Sequence, residues 1–284
     1  MMNKKIMICA DDFGIAKNIN LAIYELAQRK RISAISCIVM PESNQKDFQR
    51  LKSCKEQFLG LHFNLTHNFF RVKTNKQPSP GQSILGIYSE ILKNSFSQKK
   101  IEIEFEKQWN RFCDLTQSQP DYLDSHHHIH QLPYISDAIL NSLSRLKFKS
   151  DFFVRNTANI VEIDSLFLKK VFLNFFGKKM RSQLKKSKIE TNKNFTGFYD
   201  YKNQKMSLEI VYKFLQNIKD DTMMMVHPAL GDTPELDDLM SSSRKSEFSL
   251  IMSDDFMDLI KKLEFSIELK QDLSKIEGNH YRDK

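Results

Sequence analysis

Two adjacent carboxylates are the first sign of chemistry in this chain: Asp11 and Asp12, within Ala10-Asp11-Asp12-Phe13-Gly14. At the end of a short apolar run they repel one another unless a cation or a proton lies between them. One could ligate a metal while its neighbour takes a proton from bound water. Alternatively, either could cap or turn the chain into the helix that starts near Ala16. A second group is Asp124-Ser125-His126-His127-His128-Ile129-His130, which holds half of the 8 histidines. Neutral imidazole suits Zn, Ni, Fe or Cu. His126 shares a face with His128 if the backbone is extended and with His130 if it is helical. Asp124 is available to hold an imidazole N–H. The bland alternative, an artefactual tag, fits badly with an internal position between a strand and a helix. His62, in Gly60-Leu61-His62-Phe63-Asn64-Leu65-Thr66, lies on the polar face of an alternating run and is either a ligand or an ordinary satisfied polar residue. His227, before Pro228, is either a proton donor for a leaving group near neutral pH or a structural turn residue.

These side chains need elements to position them. Lys5–Ala10, Ile32–Met40, Leu59–Leu65, Tyr122–Asp124, Phe152–Val154 and Thr222–Val226 have the apolar or alternating character of strands. Helical periodicity is carried by Ile19, Ala22, Ile23 and Leu26, and by the Ser95–Gln117, Ile135–Leu146 and Leu208–Ile218 stretches. The repeated β-then-α order predicts a mainly parallel sheet with helices outside it. Asp11, Asp12, His126, Arg155 and His227 each fall just beyond a strand-like run, and His62 lies within one. That is where parallel barrels place reactive groups; an open doubly wound sheet would do likewise. The preferred class is α/β, an irregular TIM-like (β/α) barrel of about seven parallel strands.

The 284 residues show no repeat, low-complexity tract or Gly/Ser linker, so 1–284 is read as a single domain. No run approaches the roughly 20 apolar residues of a membrane span. The apolar stretch Ile6–Ala10 meets two aspartates too soon for a secretory leader, and four scattered cysteines suit reduced thiols in the cytoplasm. The net charge of +8 is carried wholly by residues 166–193, with nine basic residues against Glu190. The remainder is neutral, which argues against nucleic acid as a partner. The front half of this segment is apolar and its back half basic. As a bare helix its charges do not segregate to one face, so it fits an amphipathic membrane helix poorly. Docking on the barrel or a subunit neighbour is the plain reading, which leaves a homodimer open; contact with an anionic membrane or a lipid-linked glycan is the sharper one.

Taken together, ADDFG at 10–14, GLHFNLT at 60–66, DSHHHIH at 124–130 and His227-Pro228 resemble the YdjC/ChbG-type carbohydrate deacetylases, in the family's order and at similar spacing. Gly197-Phe198-Tyr199 and Arg244–Phe248 resemble its weaker later motifs, whereas the Phe- and Lys-rich stretch at 166–193 does not align to it and is treated as an insertion. The resemblance implies Asp12, His62 and His126 as ligands of one divalent metal ion, Mg or Zn, with Asp11 as general base and His227 as acid. Arg155, His128 and His130 are the candidates for substrate contact; Arg155 could instead tune Asp11 or form a structural salt bridge. The implied fold is TIM-like, and the implied activity is removal of N-acetyl groups from an amino sugar, oligosaccharide or glycolipid by attack of metal-activated water. Rival readings are hydrolysis of another amide or a phosphoester, or a non-catalytic sugar-binding relative.

Overall fold

Apolar residues on both faces of Ile6–Ala10 commit this run to the middle of a covered parallel sheet. The computed structural model describes residues 4–41, 43–65, 89, 97–162, 167–218, 221–233, 236 and 240–270. Its strands and helices run β1 (Lys4–Phe13), α1 (Lys17–Gln28), β2 (Ala34–Cys37), α2 (Gln45–Arg50), β3 (Phe58–Phe63), α3 (Gln98–Thr116), β4 (Tyr122–Ser125), α4 (Ile135–Leu143), β5 (Phe153–Val154), β6 (Ile160–Glu162), α5 (Phe167–Lys186), β7 (Asn194–Phe198), α6 (Leu208–Leu215), β8 (Thr222–Val226), α7 (Ser241–Met252), α8 (Asp254–Lys262) and β9 (Phe265–Ile267).

The strands lie in the order β5-β4-β3-β2-β1-β8-β7-β6, with β9 added beside the start of β1. All of these pairings are parallel. That order is one continuous winding, interrupted between β5 and β6. A doubly wound sheet would instead reverse direction at a switch point. The sheet curls into a TIM-like half-barrel. Part of the interruption is spanned by Val154 N, which donates to Glu190 O at 3.0 Å beside an isolated Phe153–Glu190 bridge.

The expected count of about seven strands is therefore low: eight lie on the main path and β9 is extra. β6 and β9 are three residues each, too short to show a period. β7 carries Gly197, which reads as a strand breaker. The glycine is required there because φ is 98° and a Cβ would strike the backbone of Met225 on β8.

The α1 stripe anticipated from sequence, Ile19, Ala22, Ile23 and Leu26, is buried, with Ala27 beside it. α3 starts at Ser97, whose Oγ accepts from Lys100 N at 3.3 Å, and ends at Gln117 in the left-handed conformation. Ser95 and Thr66, which belong to expected elements, lie outside the described residues, as does Leu166. Along α3, Ile101, Phe105, Trp109, Phe112 and Leu115 pack against the sheet. Each such side chain contributes roughly 1.5–3 kcal/mol of burial.

Within the segment 166–193, Phe167–Lys186 forms a helix on the barrel wall. Leu173, Gly177, Met180 and Leu184 of α5 face inward. Gly177 is needed for close approach, since a Cβ would lie 2.5 Å from Ala158 N. Gly177 O accepts from Asn156 Nδ2 at 2.7 Å, and Leu173 O accepts from Thr157 Oγ1 at 2.9 Å. α5 thus holds the loop that follows Arg155.

Candidate active site

The register of β1 against β2 shifts between Ala10 and Phe13, an irregularity that falls on the two aspartates. Asp12 adopts φ 72°, a left-handed backbone that non-glycine residues take at a cost usually met at functional sites. In a regular strand, neighbours point to opposite faces. Here the irregularity leaves both carboxylates buried and joined to one polar network.

Asp12 is the point of convergence. His126 Nδ1 lies 3.1 Å and His62 Nε2 3.6 Å from the same Asp12 Oδ1, while Asp12 Oδ2 accepts from Arg244 Nη2 at 2.7 Å. The ligand atoms of Asp12, His62 and His126 all lie within 4.8 Å of one another. Burial would raise the Asp12 pKa, but Arg244 and His126 outweigh it and hold the carboxyl well below its usual range. His62 is oriented from behind: its Nδ1 meets Asp124 Oδ1 at 2.7 Å, and Ser36 Oγ donates to the other Asp124 oxygen. That leaves Nε2 aimed at Asp12. β3 and β4 make the pairing possible because His62 and Asp124 are register partners. One carboxylate oxygen and two imidazole nitrogens on one small volume suit a divalent ion.

Asp11 faces Arg155. Both of its oxygens accept from the guanidinium at 2.6 Å. Arg155 also reaches Asp124 Oδ2 and Cys9 Sγ, each at 2.7 Å. It is fully buried, so among the expected substrate contacts it is placed beneath the site and not at its mouth. Burial opposes its charge, but Asp11 and Asp124 overcome this and keep it protonated. Burial likewise works against Asp124, yet Arg155 and His62 bring its pKa down to about 2. Cys9, Asp11 and Asp124 form another cluster of metal-type donors. The guanidinium already serves as its cation, and burial raises the Cys9 thiol well above its usual pKa.

The histidine run is neither extended nor one regular helix; His126–Gln131 forms 3-10 turns broken by a kink. His127 and His128 take left-handed φ of 57°, which sends His126 and His130 to different partners. His126 turns to Asp12. His130 is fully buried, with Nδ1 2.6 Å from Ser125 Oγ and Nε2 2.8 Å from Arg155 O. Both ring nitrogens are engaged with protein, so His130 braces β4 against the Arg155 loop and has none left for a substrate. His128 packs edge-on against Phe195 at 5.4 Å, with Nδ1 buried and without a hydrogen-bond partner among the described residues. Burial first, then Arg155, depresses its pKa well below the usual value.

His227 follows β8. Its backbone N donates to a Glu247 carboxylate oxygen, whose other oxygen accepts from Tyr199 Oη at 2.6 Å. Its ring stands edge-on to Tyr201 at 5.5 Å, and Nδ1 has no hydrogen-bond partner among the described residues. Burial lowers the ring to a pKa of about 4, so it is neutral near pH 7. No direct bond links it to Asp11 or Asp12 among the described residues; their charges reach it through space. Glu247 is itself pushed up to about 7 by burial.

A model of the family described as YdjC-like protein matches residues 5–262. The chain belongs to the YdjC-like family. This YdjC-like chain is 25% identical over 238 residues to a chitooligosaccharide deacetylase of Proteus mirabilis, covering 81% of the chain and 83% of that protein. It is 28% identical over 149 residues to the Enterobacter chitooligosaccharide deacetylase, covering 51% of the chain and 57% of that protein. Against that relative and several others the match thus spans little more than half of their length. A structure from Enterococcus faecalis V583, named for cellobiose-phosphate cleavage, superposes with a TM-score of 0.67 at 19% identity, over 96% of the YdjC-like chain and 99% of that one. This last likeness shows the fold.

Arg244, Glu247, Tyr199 and Ser36 were not among the sequence candidates. Only Arg244–Phe248 and Gly197–Tyr199, as weak motifs, pointed near them. They are separated in sequence from the residues they serve, and only the curling of the sheet brings them together.

Proposed function

We propose that this chain is a metal-dependent carbohydrate deacetylase that hydrolyses the N-acetyl group of an amino sugar, an N-acetylated oligosaccharide or a glycolipid. The observation that carries this reading is the convergence of His126 Nδ1 and His62 Nε2 on Asp12 Oδ1, with Asp11 beside them. The chitooligosaccharide deacetylase relatives supply the substrate class. A divalent ion such as Mg or Zn, held by Asp12, His62 and His126, would provide a Lewis acid that acidifies water and polarises the amide carbonyl.

The protein groups around it have separable tasks. Arg244 keeps Asp12 ionised, and Asp124 fixes the His62 tautomer so that Nε2 faces inward. Asp11, oriented by Arg155, takes a proton from the attacking water. His227 passes one to the departing amine. Because burial keeps the His227 ring neutral at rest, the proton it delivers is gained within the cycle. The cysteines of the chain are all free thiols, three of them buried. That supports work in a reducing compartment such as the cytoplasm.

Purified protein, stripped with EDTA and reloaded with Zn or Mg, should release acetate from N-acetylglucosamine oligomers only in the loaded form. Asp11→Asn should still bind about one metal ion per chain while losing turnover by about 10²–10⁴-fold, the usual range for a general base. Full activity in Asp11→Asn would remove it from that role. Release of phosphate from sugar phosphates without acetate release would replace the deacetylase reading.

A further inference from the structure

Outside the candidate site, α5 carries a face that its packing on the barrel leaves uncovered. Its inward face, Leu173, Gly177, Met180 and Leu184, recurs at i, i+4, i+7 and i+11 and is buried. The opposite face divides end to end. Its first three turns expose Phe167, Leu168, Val171 and Phe175, at 66%, 82%, 49% and 64%. These are four of the seven exposed large hydrophobic side chains among the described residues. On the same face the later turns expose Lys178, Lys179, Lys185 and Lys186, and the helix holds no acidic residue. The bare sequence hid this arrangement, because the face that docks on the barrel had first to be known.

We propose that this outward face of α5 docks on the surface of an anionic lipid bilayer. The apolar end would enter the interface while the lysines meet acidic headgroups, the two contributions that hold peripheral helices on membranes. No helix among the described residues is long and apolar enough to cross a membrane, so the contact is peripheral. A partner of opposite sign suits a helix that holds most of the chain's excess positive charge. The apolar end also borders the candidate site: Lys169 Nζ sits 4.6 Å over the Phe198 ring, which lies 6.2 Å from the His128 ring. Docking would bring that rim to the bilayer. The proposal requires neither metal nor substrate, so its failure would leave the proposed chemistry untouched.

The full chain is sedimented with vesicles of phosphatidylcholine alone or mixed with phosphatidylglycerol. Binding to the mixed vesicles should be at least about tenfold tighter, since each lysine near an acidic surface contributes roughly fivefold, and should weaken as salt is raised. Leu168→Ser/Phe175→Ser and the quadruple change of Lys178, Lys179, Lys185 and Lys186 to Gln should each lose about tenfold or more. All substituted residues are exposed, and unchanged thermal melting confirms that the variants fold. Equal or absent binding to both vesicle types would overturn the proposal. So would a dimer in sedimentation velocity that Leu168→Ser/Phe175→Ser dissolves, for the face would then belong to a second copy of the chain.

Discussion

At the scale of single residues, the site works by pairing each functional group with a neighbour that fixes its charge. Asp12 stays ionised against its burial because Arg244 and His126 face it. His62 presents Nε2 because Asp124 holds Nδ1 at 2.7 Å. Asp124→Asn would keep the shape but turn one carboxylate oxygen into an amide NH2, so that His62, Ser36 and Arg155 can no longer all find an acceptor there. Metal affinity, read by competition with a chelator, should fall about 10–100-fold. Unchanged affinity would show that Ser36 and the strand register suffice to orient His62. The histidine run shows how far spacing alone can mislead. Four imidazoles in five residues suggested a shared face, yet left-handed φ at His127 and His128 sends His126 to Asp12 and His130 into the core.

At the scale of elements, α5 links the wall to the site. Its backbone accepts hydrogen bonds from Asn156 and Thr157, the residues directly after Arg155. Contact depends on Gly177, where a Cβ would meet Ala158 N at 2.5 Å and Thr157 C at 2.8 Å. Gly177→Val should force the helix off this loop and destabilise the protein by roughly 1–3 kcal/mol, the usual range for overpacking. Urea unfolding measures it, and a change below ~0.5 kcal/mol would mean that the loop does not depend on α5. The basic, apolar stretch is therefore part of the support of Arg155 as well as an exposed surface.

At the scale of the whole molecule, Arg155 ties β1, β4 and the end of β5 around one buried charge. Its partners, Asp11 and Asp124, come from strands on opposite sides of β2 and β3. Arg155→Met fills the volume but leaves two carboxylates without their cation, a loss of about 3–5 kcal/mol. The pH dependence follows from the sign of the shift. With Arg155 in place Asp124 titrates near 2, below its unfolded value, so its contribution is present above pH ~4 and lost as pH falls toward 2. Without Arg155, burial raises that carboxyl, and the stability of the variant falls as pH rises. The gap between wild type and variant should hence be wider at pH 7 than at pH 5. A gap that does not change with pH would place the loss in packing instead of charge.

The sequence by itself determined the alternation of strands and helices, the positions of Asp11, Asp12, His126 and His227 at strand ends, and the family they resemble. Those signals are local: apolar periodicity and side-chain type survive in any single window of the chain. Tertiary structure alone decided that the sheet winds once around with an interruption between β5 and β6, that Arg155 and His130 lie in the interior, and that Arg244 and Glu247 join the site. These outcomes depend on pairing between strands far apart in sequence. Whether a charge sits at a cleft or beneath it is set by what packs over it, which no spacing records.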